Sequence, residues 1–148
     1  ASSGCNGVTG VNRSYLGVSL EDGTNYHLPA KVSINTANIG GPSAGLAMTL
    51  TLINKLSRTS ISGNQPIAAT GTIDVQGDVG DVGGVAEKTV AVQRAGAKYF
   101  IVPQVEVATA KGAATTGLRI IGVTTLTQAL RDLRELGGVA PVALTMPH

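Results

Sequence analysis

From Ser43 onward, apolar segments alternate between helical spacing and short strand-like runs, and most of them stop at glycine or proline. Ser43–Leu56 carries Ala44, Ala47, Met48, Leu50, Leu52, Ile53 and Leu56 on more than one helical face, so it predicts a buried helix, with Pro42 suited to its first turn. Ile67–Asp74 reads as a strand, Gly77–Gly84 as a glycine-punctuated turn, and Val85–Ala95 as a helix stopped by Gly96. Tyr99–Val102, ended by Pro103, and Leu118–Val123 read as short buried strands with a helix-like segment between them. Leu126–Leu136 reads as a helix with Leu126, Ala129, Leu130 and Leu133 inward, stopped by Gly137-Gly138. This alternation predicts an α/β (α+β mixed) domain.

Upstream, Tyr15–Leu20 and His27–Asn35 read as strands joined across Glu21-Asp22-Gly23-Thr24-Asn25, a hairpin signal that would give the sheet an antiparallel edge. Leu28, Ala30, Val32 and Ile34 fall on one face of the second strand, the period-2 pattern of a half-buried strand. Residues 1–12, rich in Ser, Gly and Asn, are expected to be a flexible lead-in, residues 13–137 the folded domain, and residues 138–148 a mobile tail. A length of 148 residues fits one such domain with a conventional core.

Composition narrows the function. With 11 basic and 9 acidic residues scattered along the chain, and only Phe100 and three tyrosines for stacking, a nucleic-acid partner is disfavoured. The single cysteine, Cys5, lies in the lead-in and reads as a bystander rather than a nucleophile. No apolar run reaches the roughly 18 residues a membrane-spanning helix needs. The first residue is Ala, with neither a basic segment nor an apolar stretch after it, so the chain reads as an excised domain whose signal or anchor would lie upstream.

Gly41-Pro42-Ser43-Ala44-Gly45 has the G-x-S-x-G form of a nucleophile elbow. An esterase of that type needs an acid and then a histidine downstream, and the one downstream histidine is His148, the final residue. His27 precedes the serine, so the triad reading is weak. Lysine is the usual substitute base for a serine. The S-x-x-K form is absent, since Leu46 stands three after Ser43. Of the five lysines, Lys31, Lys55, Lys98 and Lys111 suit an outer strand face, a helix end, a strand entry and a loop. Lys88 falls near the start of a helix, where the macrodipole disfavours a cation, with Val85, Ala91 and Val92 at i−3, i+3 and i+4. An amine in an apolar, locally positive setting gives up its proton more readily. Periodicity alone leaves both readings open, a general base and an ordinary surface lysine.

Residue order adds a specific signal. Ile39-Gly40-Gly41-Pro42-Ser43-Ala44-Gly45 resembles the nucleophile segment of Lon proteases. Thr70-Gly71-Thr72-Ile73, then Gly77, then Gly83-Gly84-Val85-Ala86-Glu87-Lys88, resembles the second block of that family, in which T-G-E-I leads to G-G-L-K-E-K. Arg94-Ala95-Gly96-Ala97-Lys98, the strand ending at Pro103 and the late strand–helix unit continue the resemblance, which runs from about Tyr15 to Leu136. The fold it implies is the Lon proteolytic-domain fold, ribosomal protein S5 domain 2-like. The finer pattern, Ile-Gly-Gly-Pro-Ser-Ala-Gly with Tyr15-Leu16-Gly17-Val18 upstream, is most similar to bacterial membrane-anchored PDZ–Lon peptidases. That likeness implies an upstream PDZ domain and membrane anchor, an extracytoplasmic location for this domain, and a homo-oligomer as an option. The chain has no Walker A sequence and thus no ATPase of its own.

The resemblance implies a serine endopeptidase acting on unfolded or damaged polypeptides, with Ser43 as nucleophile, Lys88 as general base, and no metal or cofactor. Gly41 and Ala44 would supply backbone N–H groups near the developing oxyanion. Thr70 would hold the Lys88 amine by a hydrogen bond, or else satisfy its own backbone. Asn35, Thr36, Ala37, Asn38 and Ile39 form the candidate edge for an extended substrate strand. Two positions depart from the family: Gly40 stands where many ATP-dependent relatives carry an acidic residue, and Thr72 replaces the glutamate of T-G-E-I. Both put an acidic accessory role in doubt. Asp74, Asp78 and Asp81 lack EF-hand spacing and read as solvated turn residues. The competing reading is a catalytically silent Lon-like interaction module.

Overall fold

Parallel strands cannot be joined by tight turns, so each pairing requires a crossover, and in this chain helices supply it. The computed structural model describes residues 41–57 and 59–139, which fall within Thr36–His148, one of the two units into which the chain divides. The opening hairpin, the lead-in, Asn35–Ile39 and the tail from residue 140 lie outside the described residues. A 3₁₀ turn, Pro42–Ala44, leads into α1, Gly45–Leu56. Then come β1 (Ile67–Ala69), β2 (Thr72–Ile73), β3 (Val79–Gly80) and α2 (Val85–Arg94). β4 (Tyr99–Pro103), a 3₁₀ turn (Gln104–Glu106), α3 (Val107–Ala113), β5 (Arg119–Val123) and α4 (Leu126–Glu135) complete the order.

β4 is the middle of a three-stranded parallel sheet, ordered β1-β4-β5. Its register sets Phe100 against Ala68 and Ile120, and Ile101 against Ala69 and Ile121. Because successive side chains of a strand point to opposite faces, β4 feeds two cores. Ile101 joins Leu46, Leu50, Ile61, Val123, Ala129 and Leu133, the layer under α1 and α4. Phe100 and Val102 join Val85, Ala110 and Leu118, the layer under α2 and α3. This explains the uninterrupted apolar run Tyr99–Val102: a strand covered on both faces has no solvent side to leave polar.

The predicted mixed α/β class stands, and several elements differ in detail. The single strand expected over Ile67–Asp74 is two strands in different sheets. Thr70 N still donates to Ile101 O of β4 at 2.9 Å, whereas Gly71 N turns to Ser43 O, also at 2.9 Å. Gly71 has φ 154°, and a Cβ there would lie 2.9 Å from Val79 Cγ1. The expected turn Gly77–Gly84 contains β3, which pairs antiparallel with β2 through Thr72↔Gly80 and Ile73↔Val79. Asp74 closes that ribbon, its carboxylate accepting from Gln76 N at 3.0 Å and Asp78 N at 2.8 Å. The helix expected from Ser43 begins as α-helix only at Gly45, and it is half-buried: Leu46 and Leu50 are inside while Leu56 is 54% exposed.

α4 starts at Thr125, whose side chain accepts from Gln128 N at 3.1 Å, an N-cap worth about 1 kcal/mol. It ends where Gly138 N returns to Leu133 O, and Val139 N then donates to Ser60 O, each at 3.0 Å. The first two residues of the expected tail are therefore tied to the domain. Among the described residues no helix is long and apolar enough to cross a membrane.

Candidate active site

Ser43 sits at the centre of the 3₁₀ turn Pro42–Ala44, half-buried. Gly41 enters the turn at φ 85° and ψ 159°, a region essentially reserved for glycine. Pro42 then pre-sets the helical φ, and Gly45 N closes the turn on Pro42 O. Gly45 lets the start of α1 lie against β2, since a Cβ there would be 3.1 Å from Ile73 Cγ2 and 3.3 Å from Ile73 N. Both glycines of the G-x-S-x-G pattern thus have a steric reason of their own. Among the described residues only Asn64 is a non-glycine with positive φ, so Ser43 does not carry the backbone strain of a nucleophile elbow.

The serine's carbonyl is held from the far side. Ser43 O accepts from Thr70 Oγ1 at 3.1 Å and from Gly71 N at 2.9 Å. Leu46 N in turn donates to Gly71 O at 3.0 Å. The two sequence blocks, one around Ser43 and one beginning at Thr70, are therefore joined by three hydrogen bonds at the break between β1 and β2. Thr70 is only 4% exposed. Its hydroxyl donates to Ser43 O, a bond that sequence reasoning did not anticipate.

Lys88 is the fourth residue of α2, and its half-buried side chain lies near the positive end of that helix. Its Nζ donates to Gly83 O, just before the helix, at 2.8 Å. The expected apolar flank is one-sided: Val85 is 2% exposed and Val92 half-buried, while Ala91 is exposed.

Sequence reasoning passed over two backbone groups of this region, Gly71 N–H and Gly83 C=O. Each glycine was visible as part of a motif, but the hydrogen bond it makes depends on a partner that only the folded chain brings near. Thr72, where the family has glutamate, is paired opposite Gly80, and its hydroxyl occupies the space a Cβ on Gly80 would need.

Residues 22–133 match the Lon protease (S16) C-terminal proteolytic domain family. The chain belongs to that family. The matched span takes in Ser43, Thr70 and Lys88, and the parallel sheet with its helices agrees with the Lon proteolytic-domain fold. Among curated proteins, the Lon protease of Flavobacterium johnsoniae is 35% identical over 91 residues, covering 62% of this chain and 11% of the relative. The Lon protease of Desulfatibacillum aliphaticivorans is 35% identical over 94 residues, covering 64% and 11%. The Lon protease of Clostridioides difficile is 45% identical over 64 residues, covering 43% and 8%. The aligned part of this Lon-type domain is thus no more than 11% of the curated relatives it matches.

Proposed function

We propose that this domain is a serine endopeptidase that hydrolyses peptide bonds of unfolded or damaged polypeptides through a Ser43–Lys88 dyad. Neutral Lys88 takes the hydroxyl proton as Ser43 Oγ attacks the scissile carbonyl. The tetrahedral intermediate collapses to an acyl-enzyme as the proton passes to the leaving amine, and water then releases the acyl group by the same steps in reverse roles. The N–H of Ala44, with that of Gly41 beside the turn, serves the developing oxyanion. An extended substrate adds as a strand along Asn35–Ile39, so that its main chain supplies most of the grip. The reaction calls for no metal or cofactor.

The observation that carries this reading is the junction of the two family blocks, where Ser43 O accepts from both Thr70 Oγ1 and Gly71 N. In the whole protein we place a PDZ domain and a membrane anchor upstream, with this domain outside the cytoplasm. The support for that arrangement is the Ile39–Gly45 and Tyr15–Val18 pattern.

The test compares wild type, Ser43→Ala and Lys88→Ala on an unfolded protein substrate, alongside fluorophosphonate labelling at pH 8–9. Wild type is expected to cleave and to label at Ser43, and both variants to lose at least about a thousandfold in turnover. Equal cleavage by all three would sink the dyad. A folded wild type that neither cleaves nor labels would identify a silent interaction module instead.

A further inference from the structure

We infer that Gly84 is a positioning residue for the general base: its left-handed backbone turns the Gly83 carbonyl toward the Lys88 amine and so fixes where that amine is held. This rests on the peptidase reading above. Lys88 takes two successive carbonyls, its backbone N donating to Gly84 O at 3.0 Å and its Nζ to Gly83 O at 2.8 Å. The first of these opens the hydrogen-bond ladder of α2, so Gly83 O stands one residue outside the ladder. With a helical φ at residue 84, that carbonyl would lie along the helix axis with the others. At φ 69° and ψ 32° it is swung off the axis, to where the Lys88 side chain reaches it.

Glycine is a poor choice for the start of a helix on stability grounds alone. An N-cap favours extended backbone and a Ser, Thr, Asp or Asn side chain that bonds back to the first turn, and Gly84 offers neither. Crowding is not the reason for it, since a Cβ on residue 84 would meet only Glu87 Oε2, at 3.6 Å. What glycine supplies is the hand of the backbone. The turn is anchored on both sides, because Val85 is buried in the layer under α2 and α3 and Val82 packs against it. A lysine amine ends a flexible four-carbon stem, and holding it removes freedom that the chemical step would otherwise have to remove. The effect therefore belongs in turnover and not in substrate affinity.

The test uses Gly84→Ala, which fits the space and opposes the left-handed backbone, and Gly84→Asn, which tolerates it. On an unfolded protein substrate, Gly84→Ala is expected to lower kcat about five- to thirtyfold with KM changed less than about twofold. Gly84→Asn should stay within about threefold of wild type. A second readout follows the amine itself: nitrogen-15 relaxation of the lysine Nζ atoms in the folded protein. Lys88 Nζ should be ordered in wild type and in Gly84→Asn, and in Gly84→Ala as mobile as the amine of an exposed lysine.

Unchanged kcat in folded Gly84→Ala would overturn the inference. So would a lowered kcat with Lys88 Nζ still as ordered as in wild type, which would give Gly84 a merely structural part. Should thermal unfolding show that Gly84→Ala does not fold, Gly84→Asn decides: a folded asparagine variant that loses tenfold or more in kcat, or whose Lys88 Nζ is mobile, overturns the inference. A wild type that neither cleaves nor labels with fluorophosphonate removes the peptidase reading and this inference with it, whereas an active wild type beside an indifferent Gly84→Ala removes the inference alone.

Discussion

The Thr70 hydroxyl reaches across 27 positions of sequence to donate to the Ser43 carbonyl at 3.1 Å. The chain between them comprises α1, its return loop and β1, so the contact closes a helix–strand unit on itself. At the next residue the chain changes partners, from β4 to the serine's turn. The break in the strand is therefore the feature that brings the Ser43 block and the block beginning at Thr70 together, and variants around it probe stability and activity side by side.

Gly71→Ala is expected to impair both. Its Cβ would fall 2.9 Å from Val79 Cγ1 and 3.4 Å from Leu46 Cδ2, at a φ that side chains rarely adopt. Overpacking of this kind costs about 1–3 kcal/mol. Since Gly71 N is also a donor to Ser43 O, turnover per folded molecule should fall as well. Urea denaturation gives the first quantity, and active-site titration by fluorophosphonate gives the second. Wild-type turnover in a destabilised Gly71→Ala would uncouple the strand break from the site.

Phe100→Ala should be among the most damaging core changes. Phe100 is fully buried in β4, paired between Ala68 and Ile120, and its removal is expected to cost about 3–5 kcal/mol. Leu56→Ala is the control, because Leu56 is 54% exposed at the end of α1 and should change stability by less than about 1 kcal/mol. Chemical denaturation midpoints of the two variants, measured side by side, check the ranking.

Asp132, in the last turn of α4, gives a pH-dependent signature. Burial pushes its carboxyl pKa above the ordinary value of 3.8 and Glu135 adds to the rise, while Arg131 and Arg119 pull it back. The folded chain then holds this proton to a higher pH than the unfolded chain does. Stability contributed at Asp132 is greatest below about pH 3.8 and declines as pH rises through the raised folded value. Asp132→Asn should remove that decline. Subtracting its thermal midpoints from those of wild type between pH 3.5 and 7 isolates the effect. A wild-type-minus-variant difference that is flat, or grows with pH, would contradict the assigned direction.

Much of the architecture was legible because it rests on short-range rules. β4 was evident as a buried strand because Phe100, Ile101 and Val102 leave no polar face, and α2 because Gly84 and Gly96 bracket a helical pattern. The stop of α4 at Gly137-Gly138 was equally visible. The antiparallel ribbon was not: Val79–Gly80 is two residues long and surrounded by glycines, so its pairing with Thr72–Ile73 leaves no periodic trace. Nor was the exposure of Leu56, since helical spacing shows which residues share a face and not what covers that face.

The sequence by itself determined the order and type of the main elements and the family, and it singled out Ser43, Thr70 and Lys88 as the residues on which the proposed chemistry rests. Only the tertiary structure decided that Thr70 attends the serine's carbonyl, that the strand breaks at Gly71, and that the Lys88 amine is held by Gly83. The physical reason is range. Helical and strand periodicities are written within a few neighbouring residues, whereas a hydrogen-bond partner is chosen from whatever donors and acceptors the folded chain brings within about 3 Å, however far apart they stand in sequence.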